Sequence, residues 1–152
     1  QIFEGVRIYL DELRSPFNVG SVFRTAECMG VAEILLSPGT ADPLHPRARR
    51  TAMGCVARIP WRRVSYEELE QSGESFFALE LGGTSVRTFS FPPKGILILG
   101  SEEVGVSPEC LGLADRSLGR TTIPQFGLKG SLNVSVAFGI VMNLWSGELS
   151  SL

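Results

Sequence analysis

Histidine occurs once in this chain of 152 residues (His45), cysteine three times (Cys28, Cys55, Cys110) and lysine twice (Lys94, Lys129). One histidine and three cysteines, none in CxxC spacing, cannot fill a tetrahedral Cys/His zinc site without recruiting carboxylates. So odd and sparse a set of thiols reads as a reducing compartment. No segment reaches the ~18 consecutive apolar residues of a membrane span, and the N-terminus lacks the basic-then-apolar layout of a signal peptide. We therefore expect a soluble, cytoplasmic protein with no membrane partner. The glycine fingerprints of ordinary dinucleotide-binding and P-loop proteins are also missing, which removes the main warrant for both.

What is present points to one domain. With 43% hydrophobic and 20% charged residues, the chain is long enough to bury one core and too short for two comfortable ones. Lys+Arg number 14 and Asp+Glu 16, for a net charge of −2, which argues against coating nucleic acid by bulk electrostatics. The distribution is uneven, however. Between Pro43 and Tyr66 stand six arginines (Arg47, Arg49, Arg50, Arg58, Arg62, Arg63), together with His45, and no acidic residue. That stretch concentrates positive potential whatever the total, unless glutamates from elsewhere balance it in space. The chain starts at Gln1 rather than Met, so we expect a processed or excised piece.

Short apolar runs bounded by Gly or Pro alternate with longer amphipathic stretches, the pattern of an α/β domain. Strands are predicted at Val6–Leu10, Glu33–Leu36, Val56–Ile59, Phe76–Leu81, Ile96–Leu99 and Thr121–Ile123. Helices are predicted at Val19–Met29, Pro46–Met53, Tyr66–Gln71, Pro108–Leu113 and Leu132–Leu149, with Gly30 ending the first and Ser65 and Ser107 capping the third and fourth. The last helix is apolar around most of its circumference, so more than one neighbour must cover it. A partner subunit is one way to supply that cover, and a central position in a monomer is the other.

Three predicted strands run into glycine or small polar residues: Leu81 into Gly82-Gly83, Leu99 into Gly100-Ser101-Glu102-Glu103-Val104-Gly105, and Ile123 into Pro124, with Gly127 and Gly130 following. Ligands of open α/β sheets lie outside the carboxyl ends of the strands, where bare backbone approaches a flat molecule, so these loops form the candidate ligand site. Two further clusters stand out. In Ser15-Pro16-Phe17-Asn18-Val19-Gly20-Ser21-Val22-Phe23-Arg24 a turn leads into a helix; if Asn18 caps it, Arg24 falls on the second turn. Arg24 on a mostly apolar helix then needs an anion, either a ligand's or a carboxylate such as Glu27 or Glu102. Ser131-Leu132-Asn133-Val134-Ser135 opens the last helix with residues that either cap it or present polar groups to a ligand.

Taken together, Asn18-Val19-Gly20-Ser21-Val22-Phe23-Arg24-Thr25-Ala26-Glu27, Leu97-Ile98-Leu99-Gly100-Ser101-Glu102, and Ile123-Pro124 followed by Ser131-Leu132-Asn133-Val134-Ser135-Val136-Ala137 resemble, in order, the three motifs of the SpoU (TrmH-type) family of SPOUT methyltransferases. Arg50-Thr51-Ala52-Met53-Gly54 resembles the segment between the first two, and the match runs from about residue 6 to 147. The resemblance implies a SPOUT-type parallel sheet with flanking helices, a C-terminal deep trefoil knot and a homodimer packed through helices near the knot. It implies transfer of a methyl group from S-adenosylmethionine to a ribose 2′-hydroxyl of tRNA or rRNA, leaving S-adenosylhomocysteine. Residues 1–152 would be a single catalytic domain; many relatives carry an extra N-terminal RNA-recruiting domain, and whether one has been cut away from this chain is left open by the resemblance.

Carried over residue by residue, the family's functional positions fall on Asn18, Arg24, Glu102, Ser131 and Asn133. The methyl donor would lie among Leu81, Gly82, Gly83, Leu99, Gly100, Ser101, Glu102, Gly105, Ile123, Ser131 and Leu132. One departure is Glu103, where the family commonly has Gly; it leaves open which carboxylate faces inward. In-line transfer from a sulfonium to a hydroxyl requires positioning and a route for the proton, and no metal. An arginine pKa above ~12 makes Arg24 a poor base, so we expect it to grip the phosphate beside the target ribose, held by Asn18 and Glu102. Arg24, Arg47, Arg49, Arg50 and Arg62 are the candidate RNA contacts. The alternatives are a non-catalytic RNA-binding module of the same fold and an unrelated α/β enzyme holding a nucleotide cofactor at Gly100–Gly105.

Overall fold

The computed structural model describes residues 1–151. Six strands, β1 (Phe3–Asp11), β2 (Val31–Leu36), β3 (Trp61–Arg63), β4 (Phe76–Ser85), β5 (Gly95–Gly100) and β6 (Arg120–Thr122), form one sheet in the order β3-β2-β1-β5-β4-β6. Every pairing is parallel. Five helices flank it: α1 (Pro16–Cys28), α2 (Pro46–Ala52), α3 (Tyr66–Gln71), α4 (Pro108–Asp115) and α5 (Val134–Ser150).

The period-2 alternation of the central strands sorts the core into two layers. Val6, Ile8, Leu10, Ile34, Leu36, Leu97, Leu99 and Phe77 face α1 and α5, meeting Val22, Phe23, Phe138, Val141 and Trp145. Tyr9, Leu35, Ile96, Ile98, Phe76 and Ala78 face the other way, onto Leu69 of α3 and Cys110, Leu113 and Ala114 of α4. The central strands are buried on both faces, hence their near-continuous hydrophobic runs. Trp145, fully buried, packs edge-on against Phe77 and donates its indole N–H to the Pro92 carbonyl at 2.9 Å. The indole thereby buries its bulk without leaving its donor unpaired.

Helix ends follow their local chemistry. Gly30, at φ +79°, follows the Met29 C-cap of α1, and Ser65 and Ser107 cap α3 and α4 through their side chains. Two expectations are corrected. Asn18 does not cap α1; Ser15 does, accepting from the Asn18 N–H at 3.2 Å, with Pro16 occupying the first helical turn where no N–H is needed. Val56–Ile59 is no strand either. Cys55–Ala57 forms a 3₁₀ turn after Gly54 (φ +87°), and the edge strand comes later, at Trp61–Arg63.

α1 and α2 pack at backbone distance through Gly20, where a Cβ would overlap the Ala48 carbonyl oxygen and Thr51 Oγ1. Thr51 has rotamers to retreat to, but the Ala48 carbonyl is fixed in its helix. Gly20→Ala is therefore expected to destabilise the protein by roughly 1–3 kcal/mol. A thermal midpoint equal to that of the native chain would show that the two helices can separate without cost.

Candidate functional site

All strands being parallel, the loops after them gather along one edge of the sheet. The segment following β5 (residues 101–107) is the centre of this edge. A Cβ at Gly100 would overlap the Gly105 carbonyl carbon and the Val106 nitrogen, and Gly105 adopts φ +78°. The loop therefore folds back upon its own strand, and Ser101 and Gly105 are joined by an isolated antiparallel bridge.

β4 contributes a feature that its sequence disguises. Thr121 of β6 pairs with both Leu79 and Thr84, so Glu80, Leu81, Gly82 and Gly83 are looped out of a strand that then resumes. The Glu80 carboxylate in this bulge accepts from the Val106 N–H at 2.9 Å, tying it to the β5 loop. Glu80 escaped sequence reasoning; the only signal was a carboxylate interrupting an apolar strand just ahead of two glycines.

Two cavities open here. The first, of about 290 Å³, is lined by Leu81, Leu99, Gly100, Ser101, Glu102, Gly105, Ile123, Ser131 and Leu132 among others, together with Glu80 and Glu103. Nine of the eleven donor-site residues named from the sequence thus lie on one wall or another; Gly82 and Gly83 do not. The second cavity, of about 430 Å³, adjoins it and shares Ser101, Glu102, Glu103, Val104, Gly105 and Val134. Its remaining walls include Asp11, Glu12, Arg14 and Asn18.

The N-terminus of α5 draws the distant motifs together. Asn133 caps the helix, its Oδ1 accepting from the N–H groups of Ser135 at 2.9 Å and Val136 at 3.3 Å. That duty fixes the amide's orientation, so its Nδ2 donates to Asn18 Oδ1 at 3.2 Å. Glu102 Oε1 accepts from the Val134 N–H at 3.0 Å, a negative charge on a helix N-terminus. This answers which carboxylate is engaged: Glu102 serves α5, while Glu103 is exposed at the rim of both cavities. Ser131 lines the first cavity, and Asn18, its oxygen taken by Asn133, keeps its amide N–H₂ for the second.

Carboxylates also brace the second cavity. Asp11, buried, accepts from the Ser107 N–H at 2.7 Å, joining the end of β1 to the start of α4. Glu12 holds the backbone at φ +57°, and its carboxylate accepts from Ser37 Oγ at 2.6 Å and the Gly39 N–H at 2.9 Å. The Ser37 hydrogen bond holds that carboxyl below its usual range. Beneath this floor, burial pushes the Cys110 thiol up to about 12.

Arg24 is placed differently from expectation. It is exposed, lines neither cavity and, among the described residues, makes no hydrogen bond or ion pair; Asn18 and Glu102 are engaged with α5 instead of holding it. The helix leaves its guanidinium in water because the buried stripe of α1 is formed by Val19, Val22, Phe23 and Ala26. The arginine-rich stretch also divides. Arg47, Arg49, Arg50 and Arg58 are exposed, whereas Arg62 pairs with Glu33 at 3.0 Å and Arg63 donates to the carbonyls of Ser37 and Thr40.

Comparison with known proteins accords with this arrangement. Residues 5–143 match the model of the SpoU rRNA Methylase family. The chain is 31% identical over 140 residues to the 23S rRNA (guanosine(2553)-2'-O)-methyltransferase RlmP of Bacillus subtilis, with 89% of this chain and 55% of that enzyme covered. The chain thus spans little more than half the length of that curated relative. An AdoMet-bound rRNA methyltransferase from Sinorhizobium meliloti superposes with a TM-score of 0.85 at 31% identity, over 96% of this chain and 57% of that one. A structure described for 2-OH methylation of C/U34 on tRNA superposes at 0.83 with 25% identity and covers 97% of both chains. With its three motifs gathered from residues far apart onto one edge of a parallel sheet, this chain belongs to the SpoU rRNA methylase family.

Proposed function

We propose that the chain is the catalytic domain of an S-adenosylmethionine-dependent RNA 2′-O-methyltransferase acting on tRNA or rRNA in the cytoplasm. The observation that carries this reading is the junction at the start of α5. There Asn18, Glu102 and Asn133, drawn from three motifs, are bonded into one unit between two adjoining cavities. The first cavity suits the methyl donor. Its backbone-lined slot, with Leu79, Leu99, Val106 and Ile123, fits a flat base, and the carboxylates of Glu80, Glu102 and Glu103 suit hydroxyls and a positive charge. The donor, when bound, supplies an electrophilic methyl group; the protein's task is alignment.

The second cavity is the place for the target nucleotide, with the Asn18 amide donating to its ribose, while Ser131 lines the neighbouring donor cavity. No metal enters the reading. Arg24 grips the neighbouring phosphate with its two-pronged guanidinium and orients the 2′-hydroxyl. Being exposed and outside both cavities of its own chain, it is suited to act across a homodimer. An uncovered apolar stripe supports that assembly: Leu132, Val136, Ile140 and Leu144 on and before α5 are each 37–53% exposed. Thr25, next to Arg24, lies against Gly139 of the same helix, so a second copy seated on the stripe comes close to Arg24. The deep trefoil knot belongs to the same proposal. It is supported by the Glu102 loop lying against the segment that enters α5.

The phosphate track is Arg47, Arg49 and Arg50 on α2, with Arg62 contributing less because Glu33 already occupies it. Calorimetric titration with S-adenosylmethionine is expected to show one site per chain; an RNA-binding module without catalysis would show none. Replacing Arg47, Arg49 and Arg50 together with alanine is expected to weaken RNA binding and to flatten its salt dependence by about 0.7–0.9 for each phosphate no longer neutralised. An unchanged slope would take the track off α2.

A further inference from the structure

Phe17 is half-exposed, at 51% of its surface. A single exposed aromatic is ordinary, but its position is not. The residue after it, Asn18, lines the second cavity and is bonded to Asn133. Its own carbonyl accepts from Thr51 Oγ1 of α2 at 3.0 Å, and Thr51 stands one turn from Arg47. Phe17 therefore occupies the seam between the cavity assigned to the target nucleotide and the helix that carries Arg47, Arg49 and Arg50, which form no ion pair among the described residues. Leu44 and Met53, at the two ends of α2, are exposed as well, at 53% and 67%. The region from Asn18 to α2 thus exposes apolar side chains as well as guanidinium groups, the composition that suits single-stranded nucleic acid: cations for the phosphates and flat faces for the bases.

We propose that Phe17 is a positioning residue that stacks on an unpaired nucleobase flanking the target nucleotide. Phe17 directly precedes Asn18 of the second cavity and its own carbonyl is bonded to α2, so its exposed ring is available to a strand that runs from a target ribose in that cavity to phosphates on α2. The stack fixes the strand's approach while leaving the base free in identity, because every base offers a π-face. The guanidiniums alone would hold the backbone without settling how far along the track each nucleotide sits. The inference rests on the RNA methyltransferase reading and adds to it a contact that carries no charge.

That absence of charge supplies the test. Binding of a labelled, mixed-sequence single-stranded RNA of about a dozen nucleotides is measured across a salt series for the native chain, Phe17→Ala, Phe17→Leu and Phe17→Tyr. Phe17→Ala and Phe17→Leu are expected to weaken binding on the order of tenfold with an unchanged salt slope, and Phe17→Tyr to bind like the native chain. S-adenosylmethionine affinity and oligomeric mass should stay the same in all four. Leucine keeps the bulk and apolarity of the site, so its loss of affinity separates stacking from misfolding. Native-like binding by Phe17→Leu, or a weakening accompanied by a changed salt slope or a changed mass, overturns the proposal. If the native chain binds neither the methyl donor nor RNA, the methyltransferase reading itself fails; if it binds both and Phe17→Leu is neutral, only the stacking role does.

Discussion

Arg24→Ala is expected to lower methyl transfer by at least about 100- to 1000-fold, the size of effect seen when one group aligned with developing charge is removed, while donor affinity is unchanged. The expectation follows from position. Arg24 is exposed and lines neither cavity, so its loss removes nothing from the donor's walls. No structural carboxylate depends on it, since Glu102 is engaged by the Val134 N–H and Glu27 forms no ion pair with it among the described residues. Arg24→Lys should recover only a part of the activity, because an ammonium keeps the charge but loses the planar two-pronged grip. Mixing Arg24→Ala chains with chains damaged only in the donor cavity adds a sharper readout. If Arg24 of the partner subunit serves each site, the mixture regains activity that neither variant has alone. Parallel losses of donor affinity and turnover in Arg24→Ala would instead make its role structural.

Gly100→Ala is expected to have the opposite signature, with donor binding lost first. A methyl group there meets the Gly105 carbonyl carbon and the Val106 nitrogen, both backbone atoms, and no rotamer change relieves the overlap. The loop must move away from β5, carrying with it Ser101, Glu102 and Gly105 of the first cavity and breaking the hydrogen bond from Val106 to Glu80. Overpacking of this kind costs about 1–3 kcal/mol, which taken wholly from binding is a fall of roughly 5- to 150-fold in donor affinity. Glu102 would lose its place against α5 in the same movement, so the thermal midpoint should fall by several degrees. Undiminished donor affinity in Gly100→Ala would mean that the cavity between the β4 bulge and the β5 loop is not the donor site.

Much of this architecture is legible in the chain because it depends on local chemistry. Alternation in Ile96-Leu97-Ile98-Leu99, the caps at Ser65 and Ser107 and the stop at Gly30 each act within a turn or two. Sequence and structure part where tertiary packing outweighs local preference. Val56–Ile59 looks like a strand, but Gly54 in the left-handed region turns the chain into a 3₁₀ helix, and the pairing with β2 falls to Trp61-Arg62-Arg63, whose arginines disguise an edge strand. Asn18 resembles a cap because Asn is a good one; Ser15 and Pro16 take that task and leave its amide for the site. The β4 bulge depends on Thr121 pairing twice, a fact of register that no composition discloses. Likewise Asn18 and Asn133 are 115 positions apart, and their hydrogen bond follows from the order of strands rather than from either motif. The motifs name the residues of the site; only the fold shows that Arg24 stands outside the cavities they form.

The basic stretch shows how a total can mislead. A net charge of −2 argues for little affinity for nucleic acid, yet α2 places Arg47, Arg49 and Arg50 in water, on the helix that Thr51 ties to the Phe17 carbonyl, with no ion pair among the described residues. Glu33 of β2, meanwhile, is used on Arg62 of β3 and Arg7 of β1. Local potential, not the sum, meets the phosphates.

The most direct test of the central claim is to incubate the full-length protein with methyl-labelled S-adenosylmethionine and total RNA from a strain lacking the gene, and then to map the label by nucleotide. The account predicts label on a ribose 2′-oxygen of tRNA or rRNA, absent when Arg24→Ala replaces the native chain. Label on a base, or RNA left unlabelled by a protein that binds the donor, would contradict it.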